Sequence, residues 1–271
     1  MADLYAVIGN PIAQSRSPQL HTAFARQLGH DIDYTALLST PDLFERDVRA
    51  FAARGGKGMN VTAPFKQQAA QVCDTLSEGA RAAAAVNTLV FADGRIHGEN
   101  TDGAGLVSDI QDRLGYPLRG RRILLIGAGG AARGILLPLM QARPDSLLLV
   151  NRSLERAQAL LADLPLPGVR VGPFAAAAQG EFDLILHATS AGLNAGQAPA
   201  VPWQPAPQAL AYDLSYAAEP TPFLLQARAR GVARRADGLG MLVGQAAESY
   251  WLWRGVRPDV QPVLDALLRH P

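Results

Sequence analysis

The sequence predicts an α/β protein of two domains, and three observations support this. The chain has 271 residues, of which 48% are hydrophobic and 18% charged, so it is long enough to bury two modest cores. Apolar runs alternate with segments of helical spacing, which is the pattern of strands joined by helices. One apolar run, 123–126, leads directly into a glycine turn, as a parallel strand buried on both faces does.

The first half of the chain predicts an α/β domain with a mainly parallel sheet. Strands are expected at 4–9, 32–38, 86–92 and 95–97, and helices at 18–28, 41–54, from about 64, and up to 114 after Asp102. The glycines at 55, 56 and 58 are expected to end the second helix. Asp93-Gly94 between two apolar runs predicts a hairpin.

Two serines precede the first helix, and they have two interpretations. Ser17 followed by Pro18 is typical of a helix cap with proline at the first helical position. This cap does not explain Ser15. Two hydroxyls beside the free amides of a helix N-terminus would also hold a carboxylate.

Lys66 and Asp102 are the first candidates for chemistry. Thr62 and Pro64 predict a helix start near Pro64, which puts Lys66 in the first turn, where a cation faces the positive end of the helix dipole. Such a locally unfavourable residue is typical of functional sites. Asp102 stands at another predicted helix start, where it could be a cap or the acid that holds Lys66.

The second half begins with a dinucleotide-binding pattern. The strand at 123–126 is followed by Gly127, which permits a tight turn, and Gly129, which lets the backbone approach a pyrophosphate. Ala132 keeps the next helix close to the strand, and the N-terminus of that helix supplies positive charge for phosphates. We expect a Rossmann-type, doubly wound domain here.

The end of the next strand, 147–150, indicates which dinucleotide binds. An NAD-binding protein places Asp or Glu there for the ribose 2′-hydroxyl, whereas this chain has Asn151-Arg152-Ser153 with Arg156 one turn later. Guanidinium groups bond a 2′-phosphate, which a carboxylate would repel. The sequence therefore predicts NADP.

The remaining elements of the second half follow from the same patterns. Strands are expected at 184–188, 209–214 and 232–236, and helices at 221–230, after 237–240 and at 258–270. Residues 189–192 are expected to form a polar turn, and the proline-rich stretch 199–207 a loop.

Composition excludes several classes of partner. The net charge of +1 provides no basic field for nucleic acid or for an anionic membrane, so a small molecule is the expected partner. The single cysteine, Cys73, excludes an internal disulfide, and no signal peptide is recognisable, so we expect a cytoplasmic protein. No apolar run is long enough to span a bilayer. The five histidines lack ligand spacing, so no metal is expected.

Eight motifs in order along the chain resemble those of one enzyme family. They are Ser-Arg-Ser-Pro at 15–18, Asn-Val-Thr-Ala-Pro-Phe-Lys at 60–66, Ala-Val-Asn-Thr at 85–88, Asn-Thr-Asp-Gly at 100–103, Gly-Ala-Gly-Gly-Ala at 127–131, Asn-Arg-Ser at 151–153, Thr-Pro-Phe-Leu at 221–224 and Asp-Gly-Leu-Gly-Met-Leu-Val at 237–243. On these motifs the chain resembles the shikimate dehydrogenase family. The resemblance implies NADP-linked interconversion of 3-dehydroshikimate and shikimate, a step of chorismate and aromatic amino-acid biosynthesis.

The resemblance also implies roles for single residues. Lys66 and Asp102 match the reacting centre of the family. Further substrate contacts are implied for Ser15, Ser17, Thr62, Asn87, Tyr216 and Gln245. Cofactor contacts are implied for Gly127, Ala128, Gly129, Gly130, Ala131, Asn151, Arg152, Ser153, Arg156, Leu214 and Gly238, with a weaker one at Glu78.

Domain boundaries and oligomeric state are also expectations from the resemblance. Residues 1–101 with 238–271 would form the substrate-binding domain, and 102–237 the NADP-binding Rossmann domain. A monomer is expected, with a weak homodimer as the alternative. The chain departs from the family at His187, where an asparagine is usual, and we expect this histidine to be a satisfied interior partner.

Three other functions remain open at this point. A relative that also oxidises quinate, often with NAD, is the nearest, although Arg152 and Arg156 argue against NAD. A catalytically idle protein that binds NADP or shikimate is the second, although the presence of both Lys66 and Asp102 argues against it. A two-domain dehydrogenase acting on a folate is the third, although two serines suit a small compact acid better.

Overall fold

The fold is given by a computed structural model, which describes residues 2–189 and 197–269. Within these residues there are twelve strands: β1 (Asp3–Gly9), β2 (Ile32–Leu38), β3 (Gly56–Val61), β4 (Thr75–Leu76), β5 (Thr88–Ala92), β6 (Arg95–Glu99), β7 (Arg122–Ile126), β8 (Ser146–Val150), β9 (Val169–Gly172), β10 (Glu181–His187), β11 (Gln204–Asp213) and β12 (Arg234–Ala236).

The same residues form ten α-helices. They are α1 (Ser17–Leu28), α2 (Phe44–Ala53), α3 (Lys66–Val72), α4 (Glu78–Ala83), α5 (Asp102–Ser108), α6 (Gly130–Gln141), α7 (Leu154–Asp163), α8 (Pro222–Ala229), α9 (Leu239–Arg254) and α10 (Val260–Arg269). A π-helical turn, Asp109–Arg113, continues α5, and a 3₁₀ helix spans Phe174–Gln179.

The chain divides into two compact units. Unit 1 consists of Met1–Gly105 and Leu242–Pro271, and unit 2 of Leu106–Met241. Each boundary lies four residues further along the chain than the sequence predicts, because the chain passes from one unit to the other inside α5 and α9 rather than in a loop.

Unit 1 contains a mixed sheet in the order β2-β1-β3-β5-β6-β4. β1 is parallel to β2 and β3, whereas β5 is antiparallel to both β3 and β6. The predicted hairpin joins β5 to β6 through Asp93 and Gly94, which both have positive φ. One apolar cluster includes Ala6, Met59 and Leu89, and it fills the space between the sheet and its helices.

The glycines at 56 and 58 do not end the second helix as predicted; they begin β3. A Cβ at Gly58 would overlap the indole of Trp253 on α9, and a Cβ at Gly56 would overlap the ring of Phe51 on α2. These glycines therefore allow close packing. In the sequence, glycines that allow close packing look the same as glycines that form a turn. The second helix also begins later than predicted, at Phe44, and β4 and α4 are elements that the sequence analysis missed.

Unit 2 contains a parallel sheet in the order β12-β11-β10-β7-β8-β9. From β7 the chain runs outward through β8 and β9, and then returns to the other side of β7 for β10, β11 and β12. This reversal is the switch point of a doubly wound fold, where ligands bind beyond the carboxyl ends of the strands. The predicted α/β class with a Rossmann-type domain is confirmed.

The unbroken apolar run of β7 is explained by burial on both faces of this sheet. Ile123 and Leu125 belong to one apolar cluster, and Leu124 and Ile126 belong to another on the opposite face. Successive side chains of a strand point to opposite faces, so a strand covered on both sides needs apolar residues throughout.

Two parts of unit 2 differ from the prediction. β9 was missed, and the stretch 199–207 is not wholly a loop, because β11 begins at Gln204. Pro205 pairs with Phe182, and the register of β10 and β11 then shifts before Leu184. Proline occurs in strands where the ladder is irregular, since it donates no hydrogen bond. Of the predicted polar turn 189–192, only Thr189 lies among the described residues.

Candidate active site

Lys66 and Asp102 form the centre of the candidate site in unit 1. Each is the first residue of a helix, α3 and α5, and Lys66 Nζ lies 2.6 Å from Asp102 Oδ2. The Lys66 side chain is 34% exposed and the Asp102 side chain is 18% exposed, so both charged groups are partly open to solvent. The Asp102 carboxylate bonds side chains rather than capping its own helix: its second oxygen accepts from Asn87 Nδ2 at 2.9 Å.

Asn87 is held in one orientation by its neighbours. The backbone N–H of Thr101 can only donate, and it bonds Asn87 Oδ1 at 2.9 Å. The hydroxyl of Thr88 also donates to this oxygen, at 2.9 Å. The Asn87 amide nitrogen must therefore point to Asp102, where it donates to an ionised carboxylate.

Behind Asn87 a buried network of polar side chains extends into the core. Asn60 Nδ2 donates to Ser249 Oγ at 3.0 Å and to Thr88 Oγ1 at 3.2 Å. Tyr34 donates its hydroxyl to Asn60 Oδ1 at 2.6 Å, and burial raises the pKa of Tyr34 well above its usual value, so this donor keeps its proton. A fully bonded buried network fixes geometry more firmly than separate pairs do.

Gln245 reaches the same centre from α9. Its Oε1 lies 3.4 Å from Asn87 Nδ2, and its Nε2 donates to the carbonyl of Leu242 at 2.9 Å. Ser249 stands one helical turn further on and donates to the Gln245 carbonyl at 3.0 Å. Helix α9 therefore contributes one candidate substrate contact and one member of the buried network.

The serines at 15 and 17 lie at the start of α1, but Ser17 is not the cap that the sequence predicts. Arg16 occupies the cap position, and Ser17 is the first helical residue. The hydroxyl of Ser15 instead accepts a hydrogen bond from the Ser17 backbone N–H at 3.3 Å. The cap therefore lies one residue earlier in the chain than the sequence pattern indicates, a difference too small for such a pattern to distinguish. Thr62, half-buried after β3, donates its backbone N–H to the Ile8 carbonyl at 3.0 Å.

His21 lies one helical turn after Ser17 and is fully buried among aromatic rings. Its ring stacks on Tyr34 at a centroid distance of 4.4 Å and lies 5.1 Å from Trp253. Burial lowers the pKa of His21 to about 3, so the ring is neutral at physiological pH. It therefore supports Tyr34 by packing and carries no charge into unit 1.

A second candidate site lies at the switch point of unit 2. A cavity of about 280 Å³ is lined by the glycine turn, the start of the segment after β8, and residues that follow β10. Gly127 has a φ of 117°, and a Cβ there would lie 2.8 Å from the Ala188 carbonyl oxygen. Nothing lies within 4 Å of a Cβ position at Gly129 or Gly130. An open backbone surface at the N-terminus of α6 fits a pyrophosphate, which contacts main-chain N–H groups. Ala128 lines this cavity, and Ala131 lies exposed in the first turn of α6.

The residues after β8 form a prearranged turn with two free cations. Asn151 Nδ2 donates to the Ser153 carbonyl at 2.9 Å, and Ser153 Oγ caps α7 by accepting from the Arg156 N–H at 3.2 Å. Arg152 and Arg156 both line the cavity. In the described part of the chain, neither guanidinium has a carboxylate within ion-pair distance. They are therefore available for an anion such as a 2′-phosphate.

The other predicted contacts lie at separate places. Leu214 and Gly238 lie together, because a Cβ at Gly238 would overlap the Leu214 carbonyl. Tyr216 is 40% exposed and follows β11 by three residues. Glu78 is exposed at the start of α4 in unit 1. Both ring nitrogens of His187 have partners in the interior of unit 2, as expected.

Four residues of the site were not predicted from the sequence: Asn60, Thr88, Thr101 and Ser249. The first three lie within the quoted motifs, where their polar side chains are the signal that indicates them. Ser249 follows Gln245 at helical spacing, which places both on one face of α9. Its partners lie up to 189 residues away, and no local pattern indicates those contacts.

In the described ranges, no group of three or more His, Cys, Asp or Glu side chains is arranged to hold a metal ion. No helix in these ranges combines the length and apolar character needed to cross a bilayer.

Three family descriptions match successive parts of the chain. Residues 7–89 match the shikimate dehydrogenase substrate binding domain, residues 109–202 match shikimate / quinate 5-dehydrogenase, and residues 238–268 match the shikimate 5'-dehydrogenase C-terminal domain. The chain is 52% identical to shikimate dehydrogenase (NADP(+)) of Dechloromonas aromatica, over 98% of both chains. The chain belongs to the shikimate dehydrogenase family. The predicted family and the predicted class, an NADP-dependent oxidoreductase, are confirmed.

Two solved structures have the same fold as this chain. The shikimate 5-dehydrogenase of Thermus thermophilus, in complex with NADP(H) and shikimate, is 32% identical with a TM-score of 0.87, and 98% of this chain and 99% of that one are covered. An Ael1 enzyme from Pseudomonas putida is 47% identical with a TM-score of 0.92, over 98% of both chains.

Proposed function

We propose that the protein catalyses the reversible, NADP-dependent reduction of 3-dehydroshikimate to shikimate, with Lys66 and Asp102 at the reacting centre. The observation that carries this proposal is the ion pair of 2.6 Å between these two side chains, held by Asn87 and still open to solvent. Membership of the shikimate dehydrogenase family supports the choice of substrate.

Lys66 supplies the proton and the positive charge. When bound, NADP(H) gives or takes the hydride at the carbon that bears the reacting oxygen. Reduction creates negative charge on that oxygen, and the Lys66 ammonium stabilises this charge and donates a proton to it. In the oxidation direction, neutral Lys66 takes the proton from the hydroxyl. Because Lys66 binds more strongly to the developing oxyanion than to the ketone, it contributes to the rate rather than only to affinity.

Asp102 and Asn87 position this group. Asp102 keeps Lys66 at the reacting oxygen and offers its remaining acceptor capacity to an adjacent substrate hydroxyl. Asn87, held by Thr101 and Thr88, prevents the carboxylate from rotating away. Ser15 and Ser17, with the N-terminus of α1, would hold the substrate carboxylate, and Thr62 and Gln245 would complete the substrate contacts. Tyr216 is proposed as a further substrate contact.

Unit 2 fits NADP. The turn from Gly127 to Ala131 would hold the pyrophosphate by backbone N–H groups, and Arg152 and Arg156 would bond the 2′-phosphate. Asn151 and Ser153 would fix the turn that carries the arginines. Leu214, Gly238 and Glu78 are proposed as further contacts. We accordingly assign substrate binding to unit 1 and NADP binding to unit 2.

The test is an assay of the purified protein at 340 nm with shikimate and quinate, each with NADP⁺ and NAD⁺. Fast turnover with shikimate and NADP⁺ alone is the expected result. Comparable turnover with quinate or NAD⁺ would assign a broader substrate or cofactor range. Absence of turnover from every pair, with NADPH still bound, would replace the proposal by a catalytically idle binding protein.

We also propose a cytoplasmic monomer. The single cysteine suits a reducing compartment, and burial raises the pKa of the Cys73 thiol to about 12, so it is a poor nucleophile.

Sedimentation velocity across a hundredfold range of protein concentration tests the oligomeric state. A single species with a mass near 28.7 kDa is expected, and a shift to twice this mass would indicate a dimer.

A further inference from the structure

A chain of three hydrogen-bonded side chains lies at the carboxyl ends of β10 and β11 and has no role in the proposed mechanism. His187 Nδ1 lies 3.0 Å from Asp213 Oδ1, and His187 Nε2 lies 2.7 Å from Thr189 Oγ1. His187 and Asp213 are each only 2% exposed, and the imidazole stacks on Phe223 at a centroid distance of 4.9 Å. The position of each group is therefore closely fixed.

The partners of Asp213 determine which ring nitrogen carries the proton. Asp213 Oδ1 accepts from the Ser215 N–H at 3.0 Å, and Oδ2 accepts from the Thr221 hydroxyl at 2.6 Å. An ionised carboxylate can only accept, so His187 Nδ1 donates to it. A neutral imidazole that donates through Nδ1 has Nε2 as an acceptor. In this tautomer the Thr189 hydroxyl is the donor, and its proton points to His187.

Thr189 lines the cavity of unit 2. Its methyl group packs over the glycine turn, since a Cβ at Gly127 would lie 2.8 Å from Thr189 Cγ2. Because its proton is directed to His187, the hydroxyl oxygen offers only lone pairs to the cavity. The side chain can therefore accept a hydrogen bond from a ligand N–H or O–H group and cannot donate one.

The sheet order indicates which end of the dinucleotide this acceptor meets. Arg152 follows β8, on one side of β7, and Thr189 follows β10, on the other side. A dinucleotide that lies across the switch point with its 2′-phosphate at the arginines places its nicotinamide half on the β10 side.

We propose that His187 is a positioning residue for cofactor binding, which makes Thr189 a hydrogen-bond acceptor for the nicotinamide half of NADP(H). This inference rests on the proposed function, because it assumes that the cavity of unit 2 holds NADP(H). It assigns a role to a histidine at the position where the family usually has asparagine.

The test measures the Kd for NADPH by fluorescence titration. Thr189→Val removes the acceptor and keeps the shape, and His187→Asn keeps a donor for Asp213 on a side chain that is too short to bond Thr189 as well. Each variant is expected to raise the Kd about three- to tenfold, the usual range for loss of one neutral hydrogen bond. The double variant is expected to bind no more weakly than the weaker single variant, because both act through one contact. Thr189→Ser, which keeps the hydroxyl, should bind like the unaltered protein.

Adenosine 2′,5′-bisphosphate is the control ligand, because it has the phosphate for the arginines and lacks the nicotinamide half. Its affinity should be the same for all variants. An unchanged Kd for NADPH, additive effects in the double variant, or equal weakening of the bisphosphate would overturn the inference. If the unaltered protein binds no NADPH, the proposed function fails as well. If His187→Asn does not fold, the comparison of Thr189→Val with Thr189→Ser still tests the acceptor.

Discussion

Lys66 is placed where the helix dipole of α3 disfavours a cation, and the carboxylate of Asp102 offsets this cost at a distance of 2.6 Å. The ammonium group therefore depends on its partner for its position. Lys66 is also one of only two lysines in the chain, the other being Lys57 on β3, which gives a matched control for its chemistry.

Lys66→Ala is expected to lower kcat about 10²- to 10⁴-fold and to change KM for shikimate much less, because the lost interaction is strongest in the transition state. Steady-state kinetics in both directions measure this split. Lys57→Ala, at an exposed position, should retain the kinetics of the unaltered protein. An unchanged kcat with a raised KM for Lys66→Ala would make Lys66 a binding residue only.

Arg152 gives a prediction about cofactor choice. Arg152→Asp is expected to raise the KM for NADP⁺ about 10- to 100-fold and to relax or reverse the preference for NADP⁺ over NAD⁺, because it replaces a charge-assisted bond by repulsion. Arg170→Asp makes the same change of charge at an exposed residue of β9 and should leave the preference alone. A preference ratio that does not move would show that the 2′-phosphate binds elsewhere.

At the scale of elements, the contact between β3 and α9 limits what Gly58 can become. The Trp253 indole covers Gly58 and donates to the Leu89 carbonyl at 2.9 Å, so it cannot move aside without losing that bond. The packing of α9 on the sheet of unit 1 therefore requires a residue without a side chain at this point.

Gly58→Ala is expected to lower the free energy of unfolding by about 1–3 kcal/mol, the usual cost of overpacking a core. Urea unfolding followed by tryptophan fluorescence measures the loss. Gly79→Ala is the control, because Gly79 lies in α4 with no atom closer than 3.8 Å to its Cβ position, and alanine should stabilise that helix by about 0.5–1 kcal/mol. Equal stability of the two variants would contradict this account of Gly58.

The elements differ in how far the sequence predicts them. β7 and the start of α6 were predictable, because an apolar run and a glycine turn reflect local geometry. The strand β3 was not predictable, because Gly56 and Gly58 are required by their contacts with Phe51 and Trp253, and Trp253 is distant in the chain. Glycine alone does not distinguish a turn from a close approach.

The candidate site shows the same division. Lys66 and Asp102 could be named as candidates because each is a charged residue at a helix start. The orientation of Asn87 could not be predicted, because it depends on Thr101 and Thr88, which the fold brings to its amide oxygen. The orientation of this side chain is decided by tertiary contacts, and a local sequence pattern carries no information about such contacts.

For the whole molecule, His21 makes stability depend on pH. Its pKa is about 3 in the folded protein and about 6.5 when unfolded, so between these values the unfolded chain binds the extra proton. Stability therefore rises with pH across this window, and the His21 contribution is lost as the pH falls from about 6.5 towards 3.

His21→Phe is expected to remove this contribution and to keep the stacking on Tyr34. Between pH 6 and pH 4, the unaltered protein should lose about 1.4 kcal/mol per pH unit more than the variant does. Urea unfolding at several pH values compares the two slopes. Parallel slopes would mean that His21 is protonated inside the folded protein.

The division of the chain into Leu106–Met241 and two flanking pieces has a consequence for synthesis on the ribosome. Unit 2 is continuous, so all of its strands are translated before the second segment of unit 1, Leu242–Pro271. Unit 1 lacks Gln245, Ser249 and Trp253 until its last segment is made, and until then Asn60 has no serine to bond and Gly58 faces an empty space. The first hundred residues therefore cannot complete the core of unit 1 until residues 242–271 have been translated, which happens only after every strand of unit 2 has been made.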